Sequence, residues 1–363
     1  MILPEFKDTT DGRRFFLYDS GPDSEAKERV IIFSTDEQLL LLANADRILS
    51  DGNFGVSPDG LAQLFTLRVH LGNSTATVAY CFLESKSEVV YTAMLEAIAD
   101  GIEEHLQIDM QAKQLLVDYE LGIHNAFIKV LRQRYNLEVE IAGCFFHLTD
   151  AVLRNVKKRG HGPDYSSENK SLRKIVCKME ATAFLPPHDV KAGIKYLQDN
   201  LPEGAAASSA DMLTYFDMTY VNGRDLPVRR NGRVRRTPPN HPPETWNVHQ
   251  RTLDGIDRTN NPSEGWNNGY LALVGGKHPN IWKSIDICRL DEAKVHTKVL
   301  QDAVGRVPQP IQKKKKEYED LNIRLSTLCE RYRDGYYCNI APNEPHIGTF
   351  LDRIAYNLQA SRS

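Results

Sequence analysis

The chain has 363 residues, 41% hydrophobic and 26% charged, which fits about two to three folded domains or one domain with a large insertion and excludes a disordered protein. Lys and Arg total 45 against 48 Asp and Glu, so the net charge of −3 means that any basic surface is local. Six scattered cysteines favour free thiols in a reducing compartment. No apolar run reaches the ~18 residues that span a bilayer, and the N-terminus lacks a secretory signal. These features predict a cytosolic or nuclear protein with no membrane partner.

Residues 1–45 form a mixed N-terminal lead-in. The runs FFLYDS and RVIIFST have strand composition, and TDEQLLLLANA is typical of a helix whose cap is Thr35 or Asp36. The next segments are predicted to be three consecutive strands. RILSDGNF is predicted as a strand that meets a turn, and LAQLFTLRVHL and TATVAYCFLES as two strands that the short GNS turn joins into a hairpin.

Helices and strands then alternate up to residue 147. SEVVYTAMLEAIADGIEEHL has helical spacing, KQLLVDYE is typical of a buried strand, LGIHNAFIKVLRQRYN is an amphipathic helix, and VEIAGCFFH is a final strand. Three antiparallel strands followed by helix-linked parallel strands predict an α/β fold, a mixed five-stranded sheet flanked by helices. Residues 46–147 are thus expected to form the first part of a core.

The second half of the chain is predicted to be almost wholly helical. Residues 148–257 are expected to be a mostly helical insertion with one irregular basic segment, PVRRNGRVRRTPPNHPPE. Residues 258–304 are expected to return to the core as a helix, and residues 305–363 to form a C-terminal helical tail.

Two aspartates lie at the ends of strands that the predicted order brings together. Asp51 ends the first strand of the core, and Asp118 lies in a later strand that can be its neighbour. For either residue alone, a turn or a cap is the commoner role. Two adjacent carboxylates repel each other, however, and a divalent cation relieves that repulsion. Glu120 shares the strand face of Asp118 and is a candidate to assist or replace it.

A third acid, Glu264, lies in the stretch RTNNPSEGWNN at residues 258–268. With Asn261 as N-cap and Pro262 at the first helical position, Glu264 fits a glutamate that caps its own helix. Alternatively, the same helix start aims the carboxylate at a metal ion. In that case we expect Glu264 to give up the capping contact and Asn260 or Asn261 to satisfy the helix end.

The ordered set of motifs resembles the transposase domain of Mutator-like elements, the MULE family of DDE transposases with an RNase H-like catalytic core. The similar stretches cover about residues 33–295: FSTDEQLLLLANADRILSDGNF, LFTLRVHLG, LLVDYELGIHNAF, IAGCFFHLTDAVLRNVKKRG, PPETWNVHQRTLDGIDRTNNPSEGWNN and GGKHPNIWKSI. The block around Glu264 is the most distinctive, followed by GCFFH. The chain has Asn53 and Asp150 where the family commonly has Thr and Gln, and neither position is a metal ligand in the family pattern.

The resemblance implies an RNase H-like sheet with an all-helical insertion between the second and third catalytic acids. It implies Asp51, Asp118 and Glu264 as the catalytic acids and metal ligands. The implied cofactors are two Mg²⁺ or Mn²⁺ ions, because hard divalent cations prefer carboxylate oxygens. We expect Asp51 to bridge both ions, Asp118 to bind one and Glu264 the other.

The implied activity is metal-dependent DNA strand cleavage and strand transfer at element ends in the nucleus. The partners would be terminal inverted repeats and target DNA, with homo-oligomerisation left open. Two other functions also stay open: a domesticated, transposase-derived DNA- or chromatin-binding protein without cleavage activity, and an RNase H-like nuclease. Because no zinc-module spacing precedes residue 33, we expect a fragment, a truncated element copy, or a protein that needs another subunit to recognise element ends.

Cys144 and His147 have a C-x₂-H spacing that can supply half of a zinc site. For an isolated pair, a buried thiol beside a hydrogen-bonded histidine is the commoner outcome. The resemblance makes the pair characteristic of the family and implies a structural or DNA-positioning role and not a zinc finger.

Basic and aromatic residues complete the candidates. The lysines at 313–316 are a candidate surface tether or nuclear-import patch. Trp246 and Trp266 are predicted to be core residues and not base-stacking residues. Five arginines are either phosphate contacts or part of a solvated loop: Arg229, Arg230, Arg233, Arg235 and Arg236.

Overall fold

The protein is a mixed α/β protein in which a seven-stranded mixed sheet is followed by a largely helical C-terminal region. The chain divides into two compact units, Met1–Ile141 with Asn260–Lys313 and Ala142–Thr259 with Lys314–Ser363. The structure is a computed structural model, and it describes residues 2–21, 28–168, 170–226, 236–306, 316–337 and 346–360.

The sheet belongs to the first unit, and its last strand reaches the division between the units. Its strands are β1 (Phe16–Asp19), β2 (Val30–Phe33), β3 (Arg47–Asn53), β4 (Gln63–Leu71), β5 (Ser74–Leu83), β6 (Gln114–Val117) and β7 (Glu140–Gly143). Their order across the sheet is β1-β2-β5-β4-β3-β6-β7. β3 pairs antiparallel with β4 and parallel with β6, and β4 and β5 form the predicted hairpin.

The prediction of five strands is wrong in number, because the lead-in adds two strands to the sheet. β2 pairs antiparallel with β5, and β1 pairs with β2. Every residue of β2 is buried, so this strand covers an edge of β5 that would otherwise expose unpaired backbone groups. The strand character of the lead-in was visible in the sequence, but its pairing partner was not.

The helices cover both faces of the sheet and build the second unit. In chain order they are α1 (Asp36–Ala43), α2 (Glu88–Leu106), α3 (Leu121–Tyr135), α4 (Phe145–Lys158), α5 (Gly162–Tyr165), α6 (Ser171–Ala181), α7 (Val190–Asp199), α8 (Ala206–Phe216), α9 (Pro243–Trp246), α10 (His249–Leu253), α11 (Asn261–Val274), α12 (Ile281–Ala303), α13 (Lys316–Arg333) and α14 (His346–Ala360).

Two apolar cores lie on opposite faces of the sheet. On one face, α1, α2 and α3 bury residues such as Met94 and Phe127 against strand residues such as Leu115. On the other face, α11 and α12 bury residues such as Tyr270 and Ile285 against aromatic side chains of β2 and β5. A sheet covered on both faces explains why its strands read as nearly continuous apolar runs.

Three local predictions can be compared directly with the helix and strand ends. Thr35, one of the two caps that the sequence allowed, is the N-cap of α1, and the structure shows that it forms a capping box with Gln38. The predicted strand VEIAGCFFH is wrong in its second half, because β7 stops at Gly143 and α4 begins at Phe145. Residues 258–304 form two helices and not one, because Gly275 adopts a left-handed conformation that ends α11.

The part of the second unit that the structure describes is mostly helical and includes one short two-stranded ladder. α14 packs against α6, α7 and α13. Between α8 and α9, the strands β8 (Arg224–Asp225) and β9 (Arg236–Thr237) pair antiparallel, so the insertion is not all-helical. Trp246 is fully buried, and its indole nitrogen donates to the Tyr220 carbonyl oxygen over 2.9 Å, which confirms it as a core residue.

The cysteines that the structure describes are all buried: Cys81, Cys144, Cys177, Cys288 and Cys329. Cys338 lies outside the described residues. Within the described part of the chain, no helix combines the length and apolar character required to cross a membrane.

Candidate active site

Asp51 and Asp118 occupy equivalent positions on two neighbouring parallel strands. Leu49 of β3 pairs with Leu116 of β6, and continuing this register by two residues sets Asp51 beside Asp118. Asp51 lies within β3 and is 8% exposed, whereas Asp118 directly follows Val117, the last residue of β6. The sheet therefore brings together the first two acids that the sequence singled out.

A small cleft opens at this end of the two strands. Its volume is about 20 Å³, which is room for roughly one water-sized group. Carboxylates line it from three positions, Asp51, Asp118 and Glu120. Aromatic and apolar side chains such as Phe65 form the rest of the wall. A water-sized space bordered by three acids is an arrangement suited to a small cation.

Glu120 differs from the two aspartates because donors engage both of its carboxylate oxygens. Lys86 donates to Oε1 over 2.7 Å, and the Tyr91 hydroxyl donates to Oε2 over 2.9 Å. The Gln63 amide donates in turn to the Tyr91 oxygen over 2.9 Å, and burial raises the pKa of Tyr91, which keeps it a donor. A Cβ on Gly52 would overlap the end of the Gln63 side chain, so a larger residue there would displace the Gln63 amide. Glu120 therefore forms a fixed wall of the cleft.

His124, in the first turn of α3, fixes the backbone at Asp118. Its Nε2 lies 2.7 Å from the Asp118 carbonyl oxygen. Because a carbonyl only accepts hydrogen bonds, this nitrogen carries the proton. Burial lowers the pKa of His124 and favours the neutral ring. The contact sets the direction of the chain where β6 leads into α3.

Two asparagines of the RTNNPSEGWNN stretch attach α11 to β3. The Asn260 side chain donates from Nδ2 to the Ser50 carbonyl oxygen over 2.9 Å. Asn267 donates from Nδ2 to Oδ2 of Asp51 over 2.6 Å. Glu264 lies between them in α11, four residues after Asn260 and three before Asn267, and residues with that spacing share a helix face.

The start of α11 differs from the predicted cap. The residue that precedes the helix is Asn260 and not Asn261, so Pro262 is the second helical residue and Glu264 the fourth. The Asn260 side chain does not cap this helix end, and its Nδ2 donates to the Ser50 carbonyl oxygen. The Asn260 carbonyl oxygen instead accepts from the backbone nitrogens of Ser263 and Glu264, at 2.9 Å and 3.1 Å. Glu264 thus does not form the capping box that the sequence allowed.

The third acid lies apart from the cleft that the first two share. Glu264 does not line that cleft. Among the residues described for the first unit, the carboxylates of Asp51, Asp118 and Glu264 do not all lie within 4.8 Å of one another. The three acids therefore do not form a single tight cage, although the helix that carries Glu264 contacts Asp51 through Asn267.

A buried polar network supports α11 and α12 on the sheet. One oxygen of Asp291, Oδ2, accepts from Trp266 Nε1 at 2.8 Å, from the Tyr80 hydroxyl at 2.8 Å and from the Thr77 hydroxyl at 2.9 Å. The guanidinium of Arg68 is 5% exposed and donates to the same Thr77 hydroxyl over 2.6 Å. Trp266 is therefore a packed residue with a satisfied indole, as the sequence predicted.

The Cys144 and His147 pair belongs to the second unit. Cys144 is fully buried and precedes α4 as its N-cap, and His147 is the third residue of that helix. The Cys144 sulfur and a ring nitrogen of His147 lie within 4.8 Å of each other. The role of the pair stays a prediction.

Most of the predicted basic residues lie outside the described residues: Arg229, Arg230, Arg233, Arg235 and the lysines at 313–315. Arg236 is described and exposed, and its Nε donates to Oδ1 of Asp225 over 2.8 Å across the β8–β9 ladder. This contact lowers the pKa of Asp225. Lys316 is the exposed first residue of α13.

Sequence reasoning missed the residues that orient the acids. Asn267 lies three residues after Glu264, a helical spacing that could have identified it as a partner of the same site. Lys86 and Tyr91 left no comparable signal, because they reach Glu120 from another part of the chain. Comparison of the sequence with known protein families and with curated proteins gives no match.

Proposed function

We propose that the chain is a DNA transposase of the Mutator-like type, which cuts DNA at element ends and joins the cut strand to target DNA. The observation that carries this proposal is the register of β3 and β6, in which Asp51 and Asp118 are neighbours at the cleft. The attachment of α11, and with it Glu264, to β3 supports the same conclusion.

The sheet also supports an RNase H-like core. β3, β4 and β5 form an antiparallel meander, and β6 and β7 extend the sheet beyond β3 after crossovers that contain α2 and α3. This arrangement is the one that the motif resemblance implies for the catalytic core. β1 and β2 are then additions at the β5 edge, on the opposite side of the sheet from the acids.

The residues fit divalent cations. Asp51 and Asp118 supply carboxylate oxygens, the donors that Mg²⁺ and Mn²⁺ prefer, at a cleft of about 20 Å³. The position of Glu264 outside this cleft accords with a ligand of a second ion and not of the first. Two bound ions would supply activation of a water or 3′-hydroxyl and stabilisation of the leaving oxygen.

The chain's own residues orient these ligands. Asn267 holds one oxygen of Asp51, and His124 holds the backbone of Asp118. Lys86 and Tyr91 hold Glu120 as a wall of the cleft, which prevents its carboxylate from turning toward the aspartates. Fixed ligands reduce the reorganisation that the reaction would otherwise require.

The test is cleavage of labelled DNA that carries the terminal inverted repeats flanking the gene, with Mg²⁺ or Mn²⁺ and a supercoiled target plasmid. We expect nicked ends and plasmid-joined product with the wild-type protein, and neither with Asp51→Asn, Asp118→Asn or Glu264→Gln. Asp59→Asn is the matched control, because Asp59 is exposed and does not line the cleft.

Each other result has a defined meaning. Cleavage without joining would favour the nuclease alternative, and DNA binding without cleavage would favour a domesticated binding protein. Cleavage that survives Asp118→Asn and Glu264→Gln would overturn the assignment of the acids. An independent readout is thermal unfolding with Mn²⁺, where we expect stabilisation of the wild type and of Asp59→Asn but not of Asp51→Asn.

A further inference from the structure

The second unit contains a larger cleft that the proposed function does not use. Its volume is about 250 Å³, and it lies between the segment at 252–258 and one face of α13. Residues four apart on α13 face the cleft, the spacing of one helix face. The residues that matter here are Arg258 on one side and Tyr318, Asn322 and Ser326 on the other.

Arg258 is a buried charge at this cleft. The residue is 8% exposed, and its Nη2 donates to Oδ1 of Asn322 over 2.6 Å. The guanidinium carbon lies 5.5 Å from the ring centre of Phe184. The Arg258 carbonyl oxygen accepts from the Phe145 backbone nitrogen over 2.9 Å. Both the backbone and the side chain of this arginine are therefore held in place.

The charge of Arg258 has no contacting carboxylate within the described chain. Its guanidinium makes a hydrogen bond with Asn322 and a ring contact with Phe184, and Asp257, which also lines the cleft, acts on it only at a distance. Burial lowers the pKa of Arg258, and Asp257 offsets only part of that effect. A guanidinium has five N–H donors, and buried charges in proteins are ordinarily paired. An arginine buried at a cleft without an ion pair points to an anion supplied from outside.

Neighbouring groups on α13 complete a set of donors. Because Oδ1 of Asn322 accepts from Arg258, the Asn322 side chain presents its Nδ2 as a donor. Ser326 adds a hydroxyl one turn further along the same face. A charged fork with an amide and a hydroxyl suits a tetrahedral oxyanion, which accepts several hydrogen bonds at once.

We propose that this cleft binds a phosphoryl group, with Arg258 as its charged contact and Asn322 and Ser326 as additional donors. The phosphoryl group can belong to a free phosphate compound or to the backbone of a nucleic acid, and both present the same oxyanion. The proposal does not depend on the transposase assignment, because none of its residues is among the proposed catalytic acids.

The experiment measures thermal unfolding of the full chain in inorganic phosphate, with ionic strength held constant by chloride. We expect the melting temperature to rise with phosphate and to saturate, since a ligand that binds only the folded state stabilises it. In Arg258→Gln the dissociation constant should weaken by about tenfold or more. Arg324→Gln is the matched control, because Arg324 is exposed on α13 and its Nε donates to an asparagine, Asn357, over 2.9 Å.

A second variant keeps the test decisive if Arg258→Gln fails to fold. Ser326→Trp fills the cleft without removing the arginine, and it should abolish the phosphate effect in a protein that still unfolds cooperatively. Equal stabilisation of wild type and Ser326→Trp, or no saturating effect in the wild type, would overturn the proposal. A nucleoside monophosphate and a short DNA duplex then distinguish the source of the phosphoryl group. If the melting-temperature rise saturates at a lower concentration of monophosphate, the cleft is a small-molecule site. If it saturates at a lower concentration of duplex, the cleft is a nucleic-acid contact.

Discussion

Asn267 donates a hydrogen bond to Oδ2 of Asp51 across 2.6 Å, which joins a side chain of α11 to a carboxylate of β3. The contact joins residues 216 positions apart in sequence. It restricts how the Asp51 carboxylate can turn within the cleft. A residue that orients a metal ligand without binding the metal typically changes metal affinity or activity by roughly 10–100-fold when it is removed.

Asn267→Ala should therefore lower DNA cleavage by roughly 10–100-fold and weaken stabilisation by Mn²⁺. It should also lower the free energy of unfolding by about 1–3 kcal/mol, because a hydrogen bond to a charged group is lost. Asn125→Ala is the control, since Asn125 donates to Glu88 over 2.8 Å on the exposed surface. Equal effects of the two substitutions on Mn²⁺ binding would contradict a role of Asn267 at the site.

Glu120→Gln should behave differently from Asp118→Asn. Lys86 and Tyr91 already engage both carboxylate oxygens of Glu120, so we expect it to shape the cleft and not to bind an ion. Cleavage should fall by less than about tenfold in Glu120→Gln, whereas Asp118→Asn should reduce it to background. The measurement is the initial cleavage rate over a range of Mg²⁺ concentrations. If Glu120→Gln abolishes cleavage and Asp118→Asn does not, their roles are exchanged.

Asp291→Asn should destabilise the first unit by about 3 kcal/mol or more, measured by urea unfolding. The substitution keeps an oxygen that can accept from Trp266 and Tyr80, but it removes a negative charge near the buried Arg68. Removing one charge and leaving the opposite charge buried lowers the free energy of unfolding more than replacing both charges does. Asp286→Asn is the control on the same helix, because its partially exposed pair with Arg289 should contribute about 0–1 kcal/mol.

The ion pair of Asp19 and Arg29 predicts how the free energy of unfolding depends on pH. Burial acts to raise the pKa of Asp19, but Arg29 and the Gly21 backbone N–H outweigh it, so the pKa lies below its ordinary value. A carboxyl with a lowered pKa in the folded state stabilises the fold above its unfolded pKa of about 3.9. That stabilisation is lost as the pH falls through the folded pKa.

The corresponding experiment compares the free energy of unfolding of wild type and Asp19→Asn from about pH 2 to about pH 7. The difference should be constant near neutrality and should shrink below about pH 4. Asp225→Asn should change the free energy of unfolding little at any pH in this range, because Asp225 and Arg236 form an exposed pair. A difference for Asp19→Asn that does not change with pH would contradict the assignment.

The sequence predicted the features that residues close together along the chain determine. Thr35, one of the two predicted caps, precedes α1, because threonine and aspartate just before an apolar helical run are a local signal. The hairpin of β4 and β5 was predictable because a short turn separates two runs of strand-like composition. The adjacency of Asp51 and Asp118 is a different case: α2 joins β6 to β5, yet β6 pairs with β3, an arrangement that the sequence allowed and did not determine.

Contacts between distant segments were not predictable in this way. The pairing of β2 with β5 depends on an edge that exists only after the hairpin has formed. The run VEIAGCFFH is apolar throughout, and a short apolar run does not distinguish the end of a strand from the start of a helix. Asn260 precedes α11 but does not cap it with its side chain, and its Nδ2 donates to the carbonyl oxygen of Ser50, a residue 210 positions away in sequence.

The Asn260–Ser50 hydrogen bond also determines when the candidate site can form. It joins residues 210 positions apart, so closing it carries the entropy cost of a very long loop. During synthesis, β3 and β6 can pair well before α11 leaves the ribosome, because α11 lies in the last third of the chain. The third acid is therefore the last to arrive. A nascent chain has the two aspartates in place before it can have a complete acid set, and this order would delay any strand-cutting activity until most of the protein has been made.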